Sequence, residues 1–166
     1  MLEVMNTSHD KWTFAVEYAS PTPHLRQKLW NTLKRDNLNI TTPWIAAGDF
    51  NSVTKREEVS NPDHFEAHRC SRFNEWTFDE AMIDLGFIGQ CFTWKRGTDN
   101  VNFKGARLDR VLCSIDWLDR NTKTEVRHLA SSKYDQILIS LGDQSGTKRV
   151  GLNIKGRGSH IPTSST

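Results

Sequence analysis

PWIAAGDFNSV, residues 43–53, carries apolar residues straight into a carboxylate and an amide, with only Gly48 and Phe50 to manage the change. An apolar run of this length, bounded by Pro43 and by the polar NSVTKREEVSNPD, is the pattern of a buried strand. Gly48 lets the backbone turn, so Asp49 leaves the sheet with its carboxylate presented, and Asn51 can face the same side with an amide that donates and accepts. The same two residues also suit an Asx turn that merely closes a strand. Spacing alone does not separate the two readings.

Outward from that strand, WTFAVEYAS (residues 12–20) reads as another strand, followed by a helix in SPTPHLRQKLWNTLKRDN. Ser20 or Thr22 would cap the helix, with Leu25, Leu29, Trp30 and Leu33 on one face. On the C-terminal side, HRCSRFNEWTFDEAMIDLG (residues 68–86) predicts a second helix ending at Gly86. QCFTWKRG and ARLDRVLCS predict two strands joined by the hairpin loop TDNVNFKG. IDWLDRNTK is a short turn or helix, and TEVRHLA and YDQILISL are further strands. The fold class is therefore α+β, with strands outnumbering helices.

A chain of 166 residues suits one domain, and 36% hydrophobic content with six tryptophans suits a core. No apolar run approaches the roughly 20 residues of a membrane helix, and the start, MLEVMNTSHDKW, lacks the features of a secretory signal. The protein is expected to be intracellular, and Cys70, Cys91 and Cys113 to be reduced, small buried hydrophobes rather than a disulfide set or zinc knuckle. Net charge is +2, and all of the excess lies after residue 141, where Lys148, Arg149, Lys155 and Arg157 oppose Asp143. The expected organisation is a domain over residues 1–141 and a disordered basic tail over 142–166. A globally basic coat for nucleic acid is excluded, so a polyanion would need local contacts or a metal.

Polar residues at the ends of separate strands are the candidates for chemistry: Tyr18, Asp49 with Asn51, Asp109, and Asp135 with Gln136. Singly, each has a structural reading, such as Asp109 pairing with Arg107 or Arg110 in RLDR. Together with their surroundings they carry a resemblance. WIAAGDFNSV resembles the GDFN motif of the endonuclease/exonuclease/phosphatase superfamily, and VEYASPTPHLRQKLWNTL, IDLGFIGQCFTWKRG and ARLDRVLCSIDW are similar to segments of the endonuclease domain of plant LINE-type (non-LTR) retrotransposons. The match runs in order from Trp12 to about Leu141.

The resemblance implies a partial four-layer, DNase I-like α/β sandwich with its front part missing, and a family activity of Mg²⁺-dependent phosphodiesterase on DNA, for which the nucleus is one intracellular setting. It implies that Tyr18 contacts the scissile phosphate, Asp49 polarises the attacking water and helps hold the metal, and Asn51 positions the phosphate. Asp109 would orient a catalytic histidine, and Asp135 would lie near the metal. Beside these roles, Trp94 and Arg107 are candidates of the sequence itself for substrate contact, as an aromatic and a cation near the predicted hairpin. Hard oxygen ligands around Mg²⁺ suit the charge that builds on phosphate oxygens.

Two departures stand against activity. The family's Ser-Asp-His triplet reads Tyr134-Asp135-Gln136, and glutamine can neither carry charge nor move a proton as imidazole does. His128 matches a non-catalytic position and is expected to be structural. The family's preceding strands, with an Asn and a metal-binding Glu, have no counterpart in the sequence, and REE at Arg56–Glu58 is expected to be a solvated loop. The expectation is an N-terminally truncated, degenerate and marginally stable copy with weak or no activity. The alternatives are a non-catalytic nucleic-acid-binding remnant using Tyr18, Trp94, Arg96, Lys104, Arg107 and the basic tail, or a phosphatase of the same superfamily.

Overall fold

A computed structural model describes residues 2–5, 11–97, 101–120, 122–129, 136–143 and 149–155. Strands β1 (Leu2–Met5) and β2 (Lys11–Tyr18) lead to helix α1 (Pro23–Thr32) and then to β3 (Trp44–Asp49). Three short 3₁₀ turns precede α2 (Ser71–Asp79), which is followed by β4 (Met82–Asp84), β5 (Ile88–Gly89), β6 (Trp94–Arg96), β7 (Lys104–Ala106) and β8 (Asp109–Ser114). A single turn, α3 (Ile115–Leu118), leads to β9 (Thr122–Leu129), β10 (Gln136–Asp143) and β11 (Arg149–Lys155).

The strands form a five-stranded mixed sheet in the order β1-β2-β3-β8-β4, a four-stranded sheet in the order β11-β10-β9-β5, and the β6-β7 hairpin. Alternation along each strand of the first sheet supplies two faces. One face, with Ala15, Trp44, Ala46 and Leu112, packs under the helices. There Trp30 of α1 lies 5.1 Å from Phe73 and 5.2 Å from Trp76 of α2, ring centre to ring centre, with Phe50 in the same cluster. The other face, with Phe14, Ile45, Ala47, Val111 and Cys113, packs against Val126, Ile137 and Ile139 of the second sheet. Helices, sheet and sheet make three layers among the described residues, an α+β arrangement as the order of elements predicts. No helix among them is long and apolar enough to cross a membrane. Cys70 and Cys113 are buried free thiols, and Cys91 is half-buried and free.

Three local expectations are corrected. The second helix stops at Asp79; Ala81 takes φ +50°, and Met82 and Ile83 leave to pair with Ser114 and Cys113 at the sheet edge. The pairing and the burial of Met82 outweigh the helical preference of FDEAM. The hairpin after Arg96 is closed by Lys104–Ala106, and only beyond Arg107 does the chain enter β8 in the main sheet. Within the span expected to be a disordered tail, Arg149–Lys155 pairs antiparallel with β10 along its length.

Candidate active site

Three of the candidate residues share one row. Tyr18 is opposite Asp49 in the parallel β2-β3 pair, and Asp49 is opposite Asp109 in the antiparallel β3-β8 pair. Residues opposite one another project from the same face, and neighbouring strands lie about 4.8 Å apart, so the three side chains span roughly 10 Å. The parity is that of Phe14, Ala47 and Val111, so the row stands at the end of the face that packs on the second sheet. Tyr18 is 57% exposed there, and Asp49 and Asp109 are half-buried.

The tip beyond β3 is held by hydrogen bonds from three sides. The Asn51 backbone N–H donates to Asp49 Oδ1 at 2.8 Å, so the Asx turn anticipated in the sequence is present and aims the carboxylate. Asn51 takes φ +46°, a left-handed conformation that asparagine tolerates better than most residues. Its Nδ2 donates to Ala19 O at 2.7 Å, and Ala19 N–H donates to Asp49 O at 2.7 Å, locking the end of β2 to the end of β3. On the other side Thr93 Oγ1 accepts from the backbone N–H groups of both Leu108 and Asp109 at 3.0 Å. Thr93, at the root of the β6-β7 hairpin, was not singled out in the sequence; only its place beside Trp94 hinted at it.

Gln136 is not brought into this row. It opens β10 in the second sheet, opposite Leu129, and alternation puts it on the face away from Ile137 and Ile139, which fill the core between the sheets. Asp135 lies outside the described residues. His128 is buried, stacked on Phe87 at 4.4 Å, with Nδ1 2.9 Å from Gln90 O. Burial lowers its pKa, the Gln90 carbonyl acting against that, so it stands as a neutral core histidine. Trp94 is 37% exposed on the hairpin beside Lys95, Arg96 and Lys104, all exposed, rather than in the core.

Arg107 and Glu58 are placed differently from expectation. Arg107, expected at a substrate, is only 5% exposed, and Glu58, expected in a solvated loop, is 2% exposed. Glu58 Oε1 accepts from Arg107 Nη1 at 2.9 Å, and its Oε2 accepts from Arg110 Nη2 at 2.9 Å and from Thr54 N–H at 2.7 Å. Asp84 receives the other arms, Arg107 Nη2 at 2.7 Å and Arg110 Nη1 at 3.0 Å. Arg110 Nη2 also donates to Ser52 O at 2.9 Å, next to Asn51. The cluster thus ties the loop after the GDFN tip to β8 and β4. The signal in the sequence was Arg110 itself, a charge inside the apolar run of β8 that must find buried partners.

Burial would raise the pKa of Glu58, but hydrogen bonds and charge from Arg110, the Thr54 N–H and Arg107 outweigh it and hold it below its usual 4.5. Asp84 is likewise held below its usual 3.8, chiefly by Arg107, against the effect of burial. A carboxylate whose pKa is lower folded than unfolded stabilises the fold above its unfolded value and loses that contribution as pH falls through the folded one. Thermal unfolding from pH 7 downward is therefore expected to show a steady midpoint to about pH 4.5 and a falling one below it. Glu58→Gln should flatten that fall, and an identical profile for the variant would remove Glu58 as its source.

Asp49, Asp109 and the Asn51 amide are hard oxygen donors at one rim, matching a Mg²⁺ ion that takes one or two carboxylates and completes its shell with water and phosphate oxygens. An all-protein cage is a different matter: among the described residues no three His, Cys, Asp or Glu side chains converge on one point.

A tyrosine, two aspartates and an asparagine thus stand at one rim of the two layered sheets. The chain belongs to the Endonuclease/Exonuclease/phosphatase family, whose model matches residues 3–140. Among solved structures it is similar to the endonuclease domain of TRAS1, a telomere-specific non-LTR retrotransposon, with a TM-score of 0.53 at 15% identity. That match covers 86% of this chain and 61% of the TRAS1 domain, so the chain spans less than two thirds of that domain's length. No curated protein matches the chain.

Proposed function

We propose that the chain carries a Mg²⁺-dependent phosphodiesterase site of retrotransposon-endonuclease type, directed at DNA and weakened in its chemistry. The observation that supports this most is the register of Tyr18, Asp49 and Asp109 across three adjacent strands. The Tyr18 hydroxyl would donate to a non-bridging phosphate oxygen, and Asn51, fixed through Ala19, would position the same phosphate. Asp49, aimed by the Asn51 N–H, would orient the attacking water and accept its proton. Bound Mg²⁺ would neutralise charge on the phosphate oxygens. Asp109 would orient an imidazole, but Gln136 takes the family histidine's place in sequence and its strand turns it from the row. Losing the imidazole's part in general acid–base catalysis removes up to about 10²–10⁴-fold in rate.

Nicking of supercoiled plasmid with Mg²⁺ is accordingly expected to be weak, and Asp49→Ala should bring it to background. Strong nicking lost in Asp49→Ala would show a working enzyme and overturn the weakened chemistry. Nicking untouched by that change would overturn the site.

A second reading, a non-catalytic nucleic-acid-binding module, is favoured by the exposed hairpin that sets Trp94 among Lys95, Arg96 and Lys104. Stacking and phosphate contacts of that kind need no acid–base group. DNA binding without nicking, reduced by Trp94→Ala, would support the module over the enzyme.

A further inference from the structure

The turn between β2 and α1 is gripped from both ends. On one side Asn51 Nδ2 holds Ala19 O. On the other, Arg26 Nη1 donates to two successive carbonyls, Ser20 O at 3.0 Å and Pro21 O at 2.7 Å. Both hydrogens of Nη1 are thereby used, and the fork formed by Nε and Nη2 has no partner among the described residues. That side-on edge carries two parallel N–H groups, the geometry that receives a phosphate bidentately. Arg26 is half-buried and fixed at one end, so the fork is pre-organised and loses less conformational freedom on binding than a surface arginine.

The electrostatic setting matches. Burial lowers the pKa of Arg26, the neighbouring Arg69 lowers it further, and the Asp49 carboxylate raises it. Arg69 and the Asp49 carboxylate are thus both within electrostatic reach of Arg26. Arg69 is exposed, its recorded partner Glu66 at 3.7 Å. A pair of cations near a phosphate-handling rim favours an anion between or across them.

Position then selects the kind of anion. Asn51 grips the carbonyl of Ala19, and Arg26 grips those one and two residues further along. At up to about 3.6 Å of chain per residue, Arg26 lies one short step past the atoms that would hold the reacting phosphate. We propose that Arg26 binds a phosphate neighbouring the one over Asp49 on the same strand, making the site selective for a polynucleotide over an isolated diester. This rests on the phosphodiesterase reading for the placement of the first phosphate, but not on any turnover.

The test is binding of a fluorescently labelled 20-base-pair duplex to the whole chain by anisotropy, in EDTA, from 50 to 200 mM KCl. Arg26→Gln should weaken binding several-fold and reduce the slope of log K against log salt by about 0.9, the loss of one phosphate contact. Arg26→Lys should keep the slope and lose part of the affinity, since a point charge replaces the fork. It also serves as the readout if the glutamine variant does not fold. Arg127→Gln, on the exposed side of β9, should change neither. A dinucleotide, with one diester and no neighbour, should compete equally against wild type and Arg26→Gln. The proposal is overturned if Arg26→Gln keeps the wild-type slope, if dinucleotide competition falls with it, or if the wild type binds no duplex at 50 mM KCl. Binding of the expected form without any plasmid nicking would remove the hydrolytic reading and leave the Arg26 assignment standing.

Discussion

Glu58→Ala is expected to destabilise the fold by about 3–5 kcal/mol, the range for breaking a buried ion pair from one side. Glu58 faces two guanidinium groups at once, with Arg110 fully buried and Arg107 nearly so. Removing it leaves Asp84, itself 30% exposed at the side chain, to balance both cations. It also strands the Thr54 N–H and unties the loop that Arg110 pins through Ser52 O. Against a typical total of about 5–15 kcal/mol, such a loss approaches the whole stability. Denaturant titration should show a lower midpoint at unchanged slope, and the thermal midpoint should fall by roughly 6–20 °C. A paired Glu58→Leu, Arg110→Met variant should lose less than the two single changes together, because no charge is left facing an empty partner. A cost for Glu58→Ala below about 1 kcal/mol would show the cluster to be dispensable.

Gly48→Ala should prevent a cooperative fold. Gly48 sits at φ +138°, and a Cβ there would lie 2.1 Å from Glu17 O, a backbone atom of the paired strand. Neither partner can step aside, because β2 and β3 are paired along this row and β3 is buried on both faces up to Gly48. Backbone strain alone costs about 1–3 kcal/mol, and relieving the overlap means parting two central strands at the residue before Asp49. The glycine is therefore required by the approach of a neighbouring strand, and not only by a turn. The check is near-ultraviolet circular dichroism on heating: the variant should show no sharp transition. A melt within about 1 kcal/mol of wild type would contradict the close packing of the two strands.

Much of this was legible in the chain before any coordinates. WTFAVEYAS, PWIAAGDF and RLDRVLCS announce themselves as strands because their apolar patterns are local, and these three carry the Tyr18-Asp49-Asp109 row. What escaped depends on distant partners. Met82–Asp84 has a helical composition and becomes a strand only because β8 offers an edge. Val150, Leu152 and Ile154 alternate inside a stretch rich in Gly, Ser and Thr, a signal masked by its surroundings. Arg107 was read as a substrate contact among the cations of a nucleic-acid-binding surface, yet Glu58, far off in sequence, takes its charge. Arg26 gave no sign, since carbonyl ligands leave no trace in composition.

Phe50 separates Asp49 from Asn51 in the chain, and its ring is wholly buried among Trp30, Phe73 and Trp76 under the helices. Three consecutive residues thus answer to opposite sides of one sheet: the outer two to the half-buried rim, the middle one to an aromatic stack. Selection acting on the helices for bulk or fit would be felt at the rim as a change of aim, so drift in that distant packing offers a way to misalign the rim while every polar residue stays in place.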